Sequence, residues 1–78
     1  MKLVFLTGDE CDVCHELEVK FKEKFKAELD SGEAMFLNLD QDTEAQDWWI
    51  ENELPVAPAM VVATEEGRVV AVLKAEEL

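Results

Sequence analysis

The chain has 78 residues, enough for one small domain spanning 1–78 and too few for two. Its 49% apolar content argues for a folded core rather than disorder. With 19 acidic residues against 7 basic ones, the net charge of −12 repels phosphate backbones and anionic lipid, which sets nucleic-acid and membrane-surface roles aside. Lys2 to Thr7 then reads as a buried strand: a short apolar run with β-branched and aromatic members, closed by Gly8. Gly8-Asp9-Glu10 ends that run well short of a signal-peptide core. No stretch approaches the roughly 20 apolar residues that a membrane helix needs. The expectation is a cytoplasmic protein.

From Asp12 to about Asp30 the period changes. Cys14, Leu17, Phe21, Phe25 and Leu29 recur every three or four residues and share one helical stripe. Lysines at 20, 22, 24 and 26 fall between them, and Glu16–Lys20 and Glu18–Lys22 are favourable pairs one turn apart. Ser31-Gly32 supplies a left-handed helix stop. Ala34 to Leu39 is a second strand, so strand, helix and strand form a right-handed βαβ unit with parallel strands.

Thr43-Glu44-Ala45-Gln46 matches a capping box, with Thr43 as the cap of a shorter helix that ends before Pro55. Trp48 and Trp49 lie on that helix. Adjacent positions diverge by about 100°, so both cannot face inward fully; they read as core and half-core, and the more exposed one is a candidate partner contact. Ala59 to Thr64 and Arg68 to Leu73 are two further strands joined through Glu65-Glu66-Gly67, which suits an antiparallel hairpin. The order is β-α-β-α-β-β. Little remains for a closing helix beyond Ala75-Glu76-Glu77-Leu78.

Cys11-Asp12-Val13-Cys14-His15 sits where the first strand gives way to the long helix. A cysteine at a helix N-terminus faces unpaired N–H groups and the positive end of the dipole, both of which favour thiolate. One turn on, Cys14 is within bonding reach and belongs to the buried stripe. Cys11 is then the exposed attacking thiolate and Cys14 the shielded thiol that resolves a mixed disulfide. In a reducing compartment, two cysteines at this spacing serve redox or metal chemistry more often than structural bridging.

Two other chemistries use these residues. Cys-x-x-Cys-His is the pattern of covalent haem attachment, but Met35 and Met60, the internal sulfur ligands on offer, fall in predicted strands. Two thiolates also suit a soft ion such as Cu(I), with His15 or Asp9 completing a weak zinc site. A closed structural zinc site wants four strong ligands, and the chain offers two cysteines and one histidine. No metal and no cofactor is expected.

With motif and element order in place, the chain resembles the thioredoxin/glutaredoxin superfamily over nearly its full length. Three features carry the resemblance: the cysteine pair after the first strand of a βαβ unit, Leu37-Asn38-Leu39-Asp40-Gln41 at the end of the next strand, and Val56-Ala57-Pro58-Ala59-Met60-Val61-Val62 entering the third. The resemblance implies an α/β, thioredoxin-like fold with a four-stranded mixed sheet in the order 2-1-3-4. It implies a cis bond before Pro58. It further implies that this loop packs beside the cysteines and that the Ala57 backbone pairs with substrate.

The chain departs from the family pattern in several places. Glu10 stands where thioredoxins have Trp, Asp12-Val13 replaces Gly-Pro, and Phe5 takes the place of the buried Asp that assists proton transfer. The glycine pair of glutathione-binding glutaredoxins, after the third and fourth strands, is missing here. The closing C-terminal helix is missing or vestigial, which leaves one sheet face thinly covered and open to self-association, so a monomer or weak homodimer is expected.

Asp9, Glu10, Asp12 and Glu16 crowd the motif. A charge roughly 8 Å away in water costs a thiolate about 0.5 kcal/mol, so three such neighbours outweigh the about 0.3–1 kcal/mol returned by the helix terminus. His15 helps only when protonated. These four residues, Asp9, Glu10, Asp12 and His15, are the candidate modulators of Cys11. The balance gives a disulfide comparatively hard to reduce, and hence a protein disulfide reductase or electron carrier. Its expected partners are protein disulfide substrates and an upstream reductase, with the acidic surface steering basic partners.

Overall fold

The computed structural model covers residues 1–78. Four strands, β1 (Lys2–Thr7), β2 (Ala34–Asn38), β3 (Ala59–Ala63) and β4 (Val69–Leu73), form one mixed sheet in the order β2-β1-β3-β4. β1 runs parallel to β2 and antiparallel to β3, and β3 pairs antiparallel with β4. Helices α1 (Asp12–Lys24), α2 (Lys26–Ser31) and α3 (Thr43–Glu51) fill the connections, and a 3₁₀ turn at Ala75–Glu77 follows β4. No helix is long and apolar enough to cross a membrane.

The central strand β1 is buried on both faces, and its alternation sorts the core into two clusters. Phe5 joins Leu17, Phe21, Ala34, Met60 and Ala75, while Val4 and Leu6 join Leu54, Ala59 and Val61. The first cluster holds an aromatic knot. The Phe5–Phe21, Phe21–Phe36 and Phe5–Phe36 ring centroids lie 5.2, 5.2 and 5.6 Å apart with tilted or edge-on rings, the geometry that aromatic quadrupoles favour. Trp48 and Trp49 both pack at the edge of the second cluster, each half-buried, so the inward direction falls between these adjacent helix positions and neither faces fully inward.

Several local features differ from the sequence reading. The long helix is broken at Phe25, whose φ of −116° and ψ of 33° leave the helical region. The hydrogen-bond ladder survives the break, with Phe25 N–H donating to Phe21 O and Leu29 N–H to Phe25 O, both at 2.9 Å. Phe25 and Leu29 thereby stay packed against the aromatic cluster. Gly32, at φ 86°, stops α2 as expected. Three strands are shorter than read, with β2 ending at Asn38, β3 at Ala63 and β4 starting at Val69, and a bulge interrupts the β3–β4 register between Val62 and Ala63.

The residue expected to cap the second helix does not do so. Asp42 occupies that position, its carboxylate accepting from the N–H groups of Glu44 and Ala45 at 3.0 and 3.2 Å, and Thr43 is the first helical residue. The vestigial C-terminal helix is a single 3₁₀ turn. It seals the aromatic cluster with a fully buried Ala75, and Leu78 packs beside it. Val70, Val72 and Leu73 on β4 remain about half exposed.

Replacing a side-chain cap costs about 1 kcal/mol. Asp42→Ala is expected to lower stability by that amount in urea unfolding followed by tryptophan fluorescence, while Thr43→Ala leaves the midpoint nearly unchanged. The reverse ranking would return the cap to Thr43.

Candidate functional site

Cys11 is the N-cap of α1, at φ −115° and ψ 94°, and its sulfur accepts a hydrogen bond from Cys14 N–H at 3.1 Å. The extended backbone at the cap turns the Cys11 side chain back over the first turn of the helix. There it meets Cys14. The two sulfurs are bonded, with an S–S distance of 2.12 Å and a Cα–Cα distance of 5.1 Å. Cys14 is fully buried and Cys11 half-buried. The packing of Leu17 and Phe21 on the sheet sets this asymmetry, because Cys14 is one turn up the same stripe.

A cleft of about 460 Å³ opens beside Cys11. Thr7, Gly8 and Glu10 lead into it from β1, Leu39 and Asp40 from the end of β2, Gln46, Trp49 and Ile50 from α3, and Val56 and Ala57 from the loop before β3. Ala57 and Cys11 thus line the same cleft. The Ala57–Pro58 bond is cis. Pro58 itself lines a second hollow, shared with Val72 and Lys74, on the far side of that loop.

Polar contacts knit the loops around the cleft. Asp9 N–H donates to Asp40 Oδ2 at 2.7 Å, and the Asp9 carboxylate accepts from Asn38 Nδ2 and Gln41 Nε2, both at 2.8 Å. Asn38 Oδ1 in turn accepts from the Asp40 and Gln41 N–H groups. Trp49 Nε1 donates to Pro55 O at 2.7 Å, which ties α3 to the loop that carries Ala57 and Pro58. Gln46 Nε2 donates to Leu39 O and closes the opposite wall. The hydroxyl of Thr7 is buried without a protein partner.

The four expected modulators are divided by this arrangement. Glu10 lines the cleft together with Cys11, and Asp12, the first residue of α1, is exposed beside it. Asp9 is committed to Asn38 and Gln41. His15 is exposed, and its Nε2 sits 3.2 Å from Gly8 O rather than against either sulfur. No group of three or more His, Cys, Asp or Glu side chains converges in a way that holds a metal ion.

Gln46 and Ile50 carry no site signal in the sequence, and Asp40 and Val56 stand in segments that the resemblance singles out without giving either a role. Trp49 had been marked only as one of two candidate contacts. Gly8 offered a usable signal, a glycine closing an apolar strand three residues before a cysteine. Its role is close approach, since a Cβ there would lie 2.9 Å from Asp40 Oδ2.

Gly8→Ala is therefore expected to push the Asp40 carboxylate off Asp9 N–H, with a loss of about 0.5–1.5 kcal/mol for that one hydrogen bond. Faster amide exchange at Asp9, measured by NMR, checks this; unchanged protection would show that the loop absorbs a methyl group. In comparisons with known proteins, no protein-family model, no curated protein and no solved structure matches this chain.

Proposed function

We propose that this protein is a thioredoxin-like thiol–disulfide oxidoreductase, passing two electrons between its own cysteine pair and a disulfide in another protein. One observation carries the reading: Cys11 and Cys14 are bonded at a helix N-terminus, with Cys11 opening on a cleft and Cys14 sealed behind it. The strand order, the βαβ unit with the cysteines at its first junction, and the cis bond before Pro58 support the thioredoxin-like assignment.

In the reduced protein, Cys11 thiolate attacks one sulfur of the substrate disulfide. The substrate S–S bond breaks, its second sulfur leaves as thiolate and takes a proton, and a mixed disulfide forms on Cys11. Cys14 then loses its proton and attacks the Cys11 sulfur, releasing the first substrate sulfur as a thiol. The protein is left as the disulfide seen here, and the substrate has gained two electrons and two protons. An external dithiol reductant restores the starting state. The Cys14 N–H aimed at Cys11 Sγ supports the attacking thiolate, and the Ala57 backbone across the cleft holds the substrate strand.

Glu10 and Asp12 beside Cys11 disfavour its thiolate, so the pair is poised to donate electrons rather than to oxidise folding proteins. The midpoint potential is expected below about −200 mV, measured by equilibration with glutathione. A value near about −120 mV, where strong oxidants of protein thiols sit, would reverse the assigned direction.

A Cys14→Ser variant is expected to accumulate mixed disulfides through Cys11, seen as dithiothreitol-sensitive adducts on non-reducing gels, and Cys11→Ser to form none. Wild-type protein should reduce insulin in the presence of dithiothreitol. Stoichiometric soft metal on the reduced protein, with no adduct and no insulin reduction, would instead mark a metal-binding or redox-sensing module.

A further inference from the structure

The lining of the cleft is charged in one sense only. Besides Cys11, its two charged residues, Glu10 and Asp40, are both acidic, and no lysine, arginine or histidine lines it. Glu10 is exposed and has no hydrogen-bond or ion-pair partner. Asp40 is held in place through Asp9 N–H, an interaction that leaves its charge intact. Elsewhere the protein does little to neutralise its acids. Both ion pairs, from the N-terminal amine and from Lys2, go to Glu65 at the opposite end of β1.

The floor of the same cleft is apolar and open. Ile50 is 64% exposed and Val56 73% exposed, facing solvent from α3 and from the loop before β3, with Trp49 between α3 and that loop. Apolar side chains this exposed beside a reactive sulfur form a docking floor, and the acids above them set the sign of what docks.

Resting on the thiol–disulfide reading above, we propose that this cleft selects cationic protein disulfides. The preferred partner presents an apolar residue to Ile50 and Val56, and lysine or arginine next to its disulfide toward Glu10 and Asp40. Anionic disulfides, glutathione disulfide among them, are disfavoured because the cleft offers their carboxylates no cation. The exchange is balanced as before: the protein dithiol gives two electrons and two protons, and the substrate disulfide becomes two thiols.

The test uses full-length protein, pre-reduced with dithiothreitol and freed of it. It is mixed with disulfide-linked peptides that differ only in carrying lysine or glutamate on either side of the cysteine. Hydroxyethyl disulfide serves as the uncharged reference. Electrostatic steering changes association rates by 10- to 1,000-fold and is screened over about 10 Å at 0.1 M salt and about 3 Å at 1 M. The lysine peptide is expected to react at least about tenfold faster than the glutamate peptide at low salt, with the ratio falling to within about twofold at 1 M.

Glu10→Lys should cut that ratio at least about threefold. Glu23→Lys, the same change in net charge roughly 18 Å farther along α1, should leave most of it. If hydroxyethyl disulfide reacts but the two peptides do so equally, the selectivity is overturned and the exchange activity stands. An equal effect of Glu23→Lys overturns the cleft as its source. If no disulfide reacts, both readings fall.

Discussion

The seating of α1 on β1 through Phe21 and Phe5 governs the remainder of the molecule. Their rings lie 5.2 Å apart, and both are fully buried. Once Phe21 is held there, the helical period leaves no freedom to the positions one and two turns earlier. Leu17 packs into the same cluster, Cys14 is driven into the interior, and Cys11 is left at the helix mouth. The unequal exposure of the two sulfurs is thus a by-product of core packing. A helix rolled by one residue would bury a different side chain and dissolve the distinction between attacking and resolving thiol.

A second layer of organisation is polar. Beyond the Leu39 N–H donated to Thr7 O, the loops at the carboxyl ends of β1 and β2 leave the sheet ladder, and side chains supply further partners. Asp9, Asn38, Asp40 and Gln41 satisfy one another and adjacent backbone groups, which fixes the loop before Cys11 against the loop before α3. Gly8 permits the close approach on which this depends. The network is built almost wholly from acids and amides, so it orders the cleft without neutralising it. A high net charge destabilises a compact chain through self-repulsion. This small domain tolerates it by a dense aromatic core on one face and an aliphatic one, edged by two tryptophans, on the other.

The elements were legible wherever local pattern and tertiary demand agreed. The apolar run of β1, the stripe of α1 and the glycines at 32 and 67 each stand where the period or the turn chemistry put them. The exceptions share a cause. Asp42 and Thr43 are adjacent, and either side chain can cap a helix. The turn closed by Gln41 and Asp42 N–H on Asn38 O decides which backbone arrives in the extended conformation a cap requires. Likewise, no residue near Phe25 is a helix breaker. The chain bends there while Phe25 and Leu29 both remain on the aromatic cluster, a constraint external to the helix.

By itself the sequence determined the chemistry at hand: two sulfurs one turn apart at a helix start, an acidic surface and a βαβ order. These are local properties, set by periods of two and 3.6 residues and by side-chain ionisation. Only the tertiary structure decided what surrounds the sulfur. Glu10, Asp40, Ile50 and Val56 come from four separate segments, and nothing in their spacing brings them to one cleft. Ile50 and Trp49 are neighbours in the chain, and both are large apolar side chains on α3. One stays open to solvent because no element passes over it, and exposure depends on which distant segment supplies cover.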